Sequence, residues 1–377
     1  MLLKNVRAKK INDSRSECTI EVFLNGVKAS SPSGKSTGKY ETPSYRKSLE
    51  QSIRDINSLD LSNIKVNKFS DLISIESFIK NKFKLKDAKQ FGANALFALE
   101  SAILKSLAKE QKKQLWQVVN PNANKMPVPV GNAVGGGLHS HNKARPEFQE
   151  FLIIPQLNSA RENFLLMKQV HKKLEKILKA NAKNDEGAWE TSLTNEKIFK
   201  VLSKFSKIKI GTDVAASSFY KSGNYNYKNS SLDKTAQINY LNELIKKYNL
   251  FYIEDPLHEE DFSGFNKIKK SESRLVVGDD LTATQVSRTK KAISENSINA
   301  MIIKPNQNGS LLELAEIFRL CKKHNIKTII SHRSGETLDD ALADYAFGFQ
   351  ADFIKCGIAT KWREVKLKRL VEIEKNL

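Results

Sequence analysis

The chain has 377 residues, of which 40% are hydrophobic, so it is long and apolar enough for a two-domain globular protein, one domain of which could be a barrel of about 250 residues. It carries 62 Lys and Arg residues against 42 Asp and Glu residues, and the formal net charge of +20 favours polyanions or anionic substrates. The basic residues are scattered along helical stretches such as KKLEKILKANAK, which is typical of solvated helix faces. Nucleic acid is therefore not the expected partner, although the charge leaves it open.

The three cysteines, Cys18, Cys321 and Cys356, show neither the spacing of a metal site nor an even disulfide framework, which is typical of a reducing compartment. The first ten residues, MLLKNVRAKK, lack the apolar core of a signal peptide. No apolar run approaches the roughly 20 residues of a membrane helix. These features predict a cytoplasmic protein without membrane contact.

In chain order, CTIEVFL predicts a strand, and FGANALFALESAILKSLAKEQ predicts a helix because its apolar residues recur at helical spacing. The following stretch, NPNANKMPVP, is dense in Asn and Pro and indicates a boundary between two domains. We therefore expect a smaller α+β domain over residues 1–124 and a second domain over residues 125–377.

Between the first strands and that helix lies SPSGKSTGKYE, whose SGKST resembles the phosphate loop of nucleotide-binding proteins. That pattern requires glycine at position 29, which is Ala29, and Pro32 removes one of the N–H groups that would cradle a phosphate. The stretch is therefore interpreted as a Ser/Gly-rich loop and not as an ATP site.

Beyond the boundary, QEFLII predicts a strand after a glycine-rich loop, and ENFLLMKQVHKKLEKILK predicts a long amphipathic helix. Short apolar runs then recur between helix-like segments such as TAQINYLNELIKKYN, a pattern typical of parallel βα units. Each run ends in one ionisable residue, and in chain order these are Asp213, Glu254, Asp279, Lys304, His332 and Lys355. A doubly wound sheet would explain the alternation, but a βα barrel would also gather all of these strand ends at one mouth. We predict the barrel.

Three of the strand ends, Asp213, Glu254 and Asp279, offer carboxylates that would repel one another and raise their own pKa values. A divalent cation relieves this repulsion, and ligation by oxygen alone favours Mg²⁺ over zinc. Each acid could instead cap the following helix. Their occurrence in consecutive units beside two lysines favours the metal site.

Lys304 and Lys355 belong to the same mouth, and a lysine whose pKa is lowered from about 10.4 by nearby cations can act as a base. Opposite a metal ion, such a base could remove a proton next to a carboxylate. In SHRSGET, His332, Arg333 and Ser334 form a set of donors suited to a phosphate, although the run fits a polar turn equally well.

At this point the sequence resembles a known family, the enolases. GTDVAASSFY, YIEDP, VGDDLT, IIKPNQNG, SHRSGETLDDALAD and DFIKCG resemble the successive barrel motifs of enolase, the phosphopyruvate hydratase. INDSR, TIEV, SGKSTGKYE, FGANA, PVPVGN and QEFLIIP resemble the rest of the family pattern in order, so the resemblance covers essentially the whole chain. It implies a modified TIM barrel with a smaller N-terminal capping domain.

The resemblance also implies a glycolytic hydro-lyase that reversibly converts 2-phosphoglycerate to phosphoenolpyruvate with two Mg²⁺ ions, and enolase-superfamily sites pair a Lys or His base with such ions. Asp213, Glu254 and Asp279 would hold the tighter ion. Ser36 would bind the second, which enters with substrate, so that the SGKST loop is similar to a mobile lid. Lys304 would be the base that removes the C2 proton.

The resemblance further implies that Glu186 is the acid that protonates the departing 3-hydroxyl, supported by Glu150. Lys355 would contact the substrate carboxylate and lower the pKa of Lys304. The substrate contacts that the resemblance implies are His139, Glu150, His332, Arg333, Ser334 and Lys355.

The departures from the family pattern lie in loops. GDEGGFAP reads NDEGAWET here, and NGGSH reads GGGLH, so that the family's Asn becomes Gly135 and its Ser becomes Leu138. The usual Ala of the lid is Lys35, and the Glu of the family's SEFY is Ser218. The chain is also shorter and more basic than a typical member. These departures bear on the turnover rate and on the oligomeric state. We expect a homodimer or a larger homo-oligomer.

Two alternatives stay open. The first is a catalytically weakened enolase-like protein that binds RNA or another polyanion through its basic surface. The second is a superfamily member that acts on a different carboxylate, against which the phosphate-binding motif SHRSGET argues.

Overall fold

The computed structural model describes residues 1–35, 38–268 and 274–377. The N-terminal part begins with an antiparallel meander of β1 (Arg7–Asn12), β2 (Cys18–Leu24) and β3 (Val27–Ser30). It continues with the helices α1 (Leu49–Asn57), α2 (Leu72–Phe83), α3 (Ala93–Glu110) and α4 (Leu115–Val119). A side-chain cap begins α1, where Ser48 accepts a hydrogen bond from the N–H of Gln51.

The C-terminal part alternates strands and helices. Its strands are β4 (Val128–Gly135), β5 (Glu150–Pro155), β6 (Trp189–Glu190), β7 (Ile208–Asp213), β8 (Tyr220–Lys221), β9 (Asn224–Asn226), β10 (Ser231–Leu232), β11 (Tyr252–Glu254), β12 (Leu275–Gly278), β13 (Ala300–Ile303), β14 (Lys327–Ser331) and β15 (Phe353–Lys355). Its helices are α5 (Ala160–Leu178), α6 (Asn195–Leu202), α7 (Lys234–Tyr248), α8 (Phe262–Lys267), α9 (Val286–Ser294), α10 (Pro305–Asn308), α11 (Leu311–Lys323), α12 (Ala341–Gly348) and α13 (Lys361–Lys375). Short 3₁₀ helices lie at Phe69–Asp71, Ala88–Phe91, Gly137–His139 and Ala216–Phe219.

Eight of these strands close a barrel in the order β4, β5, β7, β11, β12, β13, β14, β15, with β15 pairing back onto β4. The predicted barrel is therefore confirmed, and the doubly wound sheet is excluded by this closure. Strand β5 runs antiparallel to both of its neighbours, whereas the other neighbouring pairs are parallel. Because of this reversal, the start of β5 lies at the mouth where the parallel strands end, and Glu150 is in register with Asp213 and Gly135.

The barrel interior is a packed apolar core. Side chains from several strands, among them Val130, Leu152, Val277, Ile302 and Ile329, are fully buried and form one cluster. Interior layers of branched residues are typical of βα barrels and leave no channel through the axis. Functional groups are therefore confined to the mouth.

The N-terminal domain packs over the mouth. Helix α3 is buried along most of its length because it contacts β2 and β3 as well as α10, which follows Lys304. Ser33 exchanges two backbone hydrogen bonds with Gly335 of the SHRSGET loop, at 2.7 and 2.9 Å. The loop that precedes residue 36 is thus attached to the barrel at the site where the sequence predicts phosphate binding.

The connection between the two parts runs from the end of α4 to the start of β4. It contains residue 124, and we propose the domain boundary there, as the Asn/Pro-rich stretch predicts. Among the helices that the structure describes, none combines the length and apolar character needed to cross a membrane.

Candidate active site

The carboxyl ends of the strands surround a cavity of about 290 Å³. Its lining includes these predicted site residues: His139, Glu150, Glu186, Asp213, Asp279, Lys304, His332, Arg333, Ser334 and Lys355. Glu254 lies fully buried beneath the cavity, in contact with Lys355. Ser36, the predicted ligand of a second ion, lies outside the described residues.

Two lysines neutralise the acids of one wall. Lys355 Nζ lies 2.8 Å from Glu254 Oε1, 2.9 Å from Glu150 Oε2 and 3.5 Å from Asp213 Oδ2. Lys304 Nζ contacts Asp279 Oδ2 in the same way. The acids predicted to bind a metal are therefore gathered around the positive charges of the two predicted catalytic lysines.

The electrostatics of this wall follow from its burial. Burial raises the pKa of the Asp213 carboxyl, and it raises the pKa of Glu254 to about 8 with added repulsion from Asp213. Burial would also raise the pKa of Asp279, but the charges of Lys304 and Lys355 lower it overall. Two of the three carboxyl groups thus gain a proton more readily than in water, because burial disfavours their charged form.

The residues present fit a Mg²⁺ ion. Asp213, Glu254 and Asp279 are each buried and offer only oxygen ligands, as hard divalent cations prefer. The ammonium groups of Lys304 and Lys355 lie where a cation would relieve the repulsion between the carboxylates. The family resemblance that predicts the metal is therefore matched by the chemistry of the donor set.

Two further acids belong to this wall that the sequence analysis did not single out. Asp255 accepts the backbone N–H groups of Asp279 and Asp280 at 3.0 and 2.7 Å, which holds the turn after β12. Oxygen atoms of Asp255, Asp279 and Asp280 lie within 4.8 Å of one another, close enough to hold a cation together. Their signal in the sequence was adjacency, because each follows a predicted ligand directly in YIEDP and VGDDLT.

A second group of side chains in the cavity includes the predicted acid. Glu186 Oε2 accepts a hydrogen bond from Asn132 Nδ2 at 3.0 Å and lies 3.9 Å from His332 Nε2. His139 Nδ1 lies 3.8 Å from Glu150 Oε1 and 3.9 Å from Glu186 Oε1. The antiparallel direction of β5 is what brings Glu150 into this group.

Protonation of this second group depends on burial and on nearby charges. Burial, with repulsion from Glu186, raises the pKa of Glu150 well above its usual range. Burial would raise the pKa of Glu186 as well, but positive charge on His332 and His139 and the hydrogen bond from Asn132 hold it well below its usual range. Of the two glutamates, Glu150 is therefore the one that gains a proton more readily than in water.

The predicted phosphate donors contact two residues of the loop SPSGKSTGKYE, Glu41 and Lys35. Arg333 donates from Nη2 to both carboxylate oxygens of Glu41, at 2.9 and 3.2 Å, and from Nη1 to Asn306 at 3.1 Å. Ser334 Oγ accepts the backbone N–H of Lys35 at 2.7 Å. Glu41 was not predicted, although it lies within the motif SGKSTGKYE. The loop SPSGKSTGKYE and the predicted phosphate donors are therefore joined by direct contacts.

A buried arginine of the last helix, α13, donates hydrogen bonds to the backbone of the SHRSGET loop. Arg363 Nη2 donates to the carbonyl oxygens of Arg333 and Ser334 at 3.1 and 2.7 Å, and its side chain is fully buried. Arg333 N–H in turn donates to Glu336 at 3.0 Å. SHRSGET thus forms a tightly bonded turn whose predicted donors line the cavity, and phosphate binding by them stays a prediction.

Models of two domains of one protein family together match nearly the whole chain. The enolase C-terminal TIM barrel domain matches residues 123–377, and the enolase N-terminal domain matches residues 3–119. The chain belongs to the enolase family. The enolase of Archaeoglobus fulgidus is 34% identical, with 99% of this chain and 97% of the relative covered. The enolase of Methanosphaera stadtmanae is 33% identical, with 100% and 97% covered, and that of Methanocorpusculum labreanum is 32% identical, with 99% of each chain covered.

Membership in the enolase family confirms the resemblance, the fold class and the predicted enzyme class of a hydro-lyase. A capacity to hold a metal ion agrees with the acidic groups of the mouth. The roles of individual site residues stay predictions and are taken up as proposals below.

Proposed function

We propose that this enolase catalyses the reversible dehydration of 2-phosphoglycerate to phosphoenolpyruvate, with Lys304 as the base and Glu186 as the acid. The observation that carries these roles is that both residues line one cavity with different partners, Lys304 with Asp279 and Glu186 with Asn132. A proton beside an ionised carboxylate is hard to remove, and hydroxide is a poor leaving group at neutral pH. Base and acid must therefore be different residues on opposite sides of the substrate.

Asp213, Glu254 and Asp279 would hold the tighter Mg²⁺, and Ser36 the second, which enters with substrate. When bound, these ions supply the positive charge that stabilises a second negative charge on the substrate carboxylate. Lys355 would contact that carboxylate through the ammonium group that now lies among the acids.

Lys304 would remove the C2 proton after leaving Asp279. Burial and the charges of Arg333 and Lys355 lower its pKa, and the contact with Asp279 is what raises the pKa overall. Away from that carboxylate, the strongest influence that raises the pKa is lost, which favours the neutral amine that a base requires.

Glu186 would give a proton to the departing 3-hydroxyl, supported by Glu150, whose pKa burial raises well above its usual range. Arg333 and Ser334 would bind the phosphate, and His139 and His332 would close the substrate in from the side of the acid. Exclusion of water by the lid would strengthen each of these contacts.

The substrate of an enolase is a small phosphorylated molecule, which the donor set at Arg333 and Ser334 suits. We propose that the protein works in the cytoplasm and as a homodimer or larger homo-oligomer, as the sequence analysis predicts.

The test is absorbance in the phosphoenolpyruvate band after purified protein is mixed with 2-phosphoglycerate, with and without Mg²⁺. Growth of the signal that depends on Mg²⁺ is expected. A flat trace from folded, metal-loaded protein would contradict the proposal. Salt-sensitive RNA binding by the same inactive preparation would then support the polyanion alternative, and turnover of a non-phosphorylated acid would support the other.

A further inference from the structure

Two departures from the enolase pattern meet in space. The family's NGGSH has Asn where this chain has Gly135, and the family's GDEGG has Gly where this chain has Asn184. A Cβ atom at position 135 would lie 2.4 Å from Asn184 Nδ2 and 3.1 Å from its Cγ. An unstrained side chain at position 135 and the present side chain of Asn184 therefore exclude each other.

The side chain of Asn184 organises the loop that carries the predicted acid. Its Oδ1 accepts the backbone N–H groups of Glu186 and Ala188, both at 3.0 Å. The backbone N–H of Asn184 donates to the Ala188 carbonyl at 3.0 Å, and the N–H of Gly187 donates to the Asn184 carbonyl at 2.9 Å. Residues 184–188 thus close on themselves around one buried amide.

This closure fixes the acid from the backbone, while strand β4 fixes its side chain. Asn132 of β4 donates to Glu186 Oε2, and Gly135 ends the same strand beneath Asn184. On the outer side, His171 Nε2 donates to the Gly187 carbonyl at 2.8 Å. The loop is therefore held on both sides, and Asn184 is the member that bonds to the backbone of Glu186 itself.

The space above Gly135 is needed because Asn184 cannot yield cheaply. The end of a flexible side chain could rotate away from a new Cβ atom, but rotation here would break the two hydrogen bonds that Oδ1 accepts. The side chain of Asn184 can therefore keep its present position only if residue 135 is glycine.

We propose that Gly135 and Asn184 form one reciprocal exchange, in which the amide side chain that the family pattern carries on the strand is carried here by the acid loop. In this arrangement Asn184 is a positioning residue for Glu186. The inference rests on the proposed function for the catalytic meaning of Glu186, but the exchange itself concerns the fold of this chain alone.

The experiment is a double-mutant cycle of Gly135→Asn, Asn184→Gly and both together. Thermal unfolding without substrate or metal is measured first. Each single variant is expected to unfold at a lower temperature than the natural protein, and the double variant is expected to recover much of that loss. A double variant that loses the sum of the two single effects would overturn the exchange. If Gly135→Asn alone does not fold, a folded double variant gives the expected recovery and an unfolded one refutes it.

Kinetics then separate positioning from general damage. Exchange of the C2 proton with solvent deuterium needs the base, whereas dehydration also needs the acid. In Asn184→Gly, dehydration should fall at least about tenfold while exchange stays within about threefold of the natural rate. An equal fall in both rates would overturn the positioning role.

The matched control restores another family residue in the same loop, with Ala188→Gly added to Asn184→Gly. This pair leaves the space at position 135 empty and is expected to recover neither stability nor dehydration. Recovery there would show that any added loop glycine suffices and would refute the exchange. If the natural protein dehydrates nothing, the proposed function fails, while the unfolding cycle still decides the exchange.

Discussion

Replacement of Arg363 by methionine should weaken substrate binding although this side chain does not line the cavity. The guanidinium group donates to the carbonyl oxygens of Arg333 and Ser334 and, at 3.0 Å, to the hydroxyl of Ser14. Methionine fills similar space but donates nothing. At about 1 kcal/mol for each net hydrogen bond, the loss of three predicts a decrease of about 3 kcal/mol in the free energy of unfolding. The loosened carbonyls belong to the predicted phosphate donors, so the KM for 2-phosphoglycerate should rise about tenfold, with less change in kcat.

Urea unfolding and steady-state kinetics measure the two effects separately. The control is Arg369→Met on the same helix, where the guanidinium binds Asp344 at 2.8 Å and, among the described residues, has no polar contact with a residue that lines the cavity. It should cost comparable stability and leave KM unchanged. An unchanged KM in a destabilised Arg363→Met, or an equal rise in both variants, would refute the reasoning that links Arg363 to the phosphate site.

Three further predictions concern single side chains. Lys304→Ala should abolish exchange of the C2 proton, and exchange retained by the folded variant would remove Lys304 as the base. Glu254→Gln should reduce the rise in unfolding temperature that Mg²⁺ produces in the natural protein, and an unchanged rise would contradict its role as a ligand. Burial lowers the pKa of His171 from 6.5 to about 4, so the folded protein binds fewer protons there than the unfolded chain and loses stability as the pH falls between those values. The free energy of unfolding should fall by about 3 kcal/mol over this range. Urea titrations at pH 6.5 and 4 should show this loss in the natural protein and not in His171→Asn. An identical pH dependence of the two proteins would contradict the burial argument.

The strand-end residues were predictable because βα repeats fix where a buried run stops. Asp213, Glu254 and Lys355 each end a strand, and Asp279 and Lys304 follow one directly. Periodicity alone carried this information, since the carboxyl ends of parallel strands share one face. The sequence therefore sufficed to place the acids beside the lysines.

The direction of β5 was not predictable in this way. QEFLII is as apolar as the parallel strands, and an apolar run does not reveal which way it points. The one hint is that Glu150 precedes its run, whereas the other ionisable residues follow theirs. The sequence analysis did not single out Arg363, for a different reason. This charged residue lies within KWREVK, and its long-range contact leaves no periodic signal in the sequence. The contact partner lies in another loop.

The buried acids and the two lysines at the mouth of the barrel form one set of ion pairs. Glu150, Asp213 and Glu254 share Lys355, and Asp279 is held by Lys304, so each of these four carboxyl groups has a positive partner. Removing a partner from a buried charge typically costs about 3–5 kcal/mol, which is why these lysines are needed for the folded mouth itself. Both lysines also line the cavity. The residues that stabilise the acid cluster are therefore the same ones that we propose as the base and as the group that binds the substrate carboxylate.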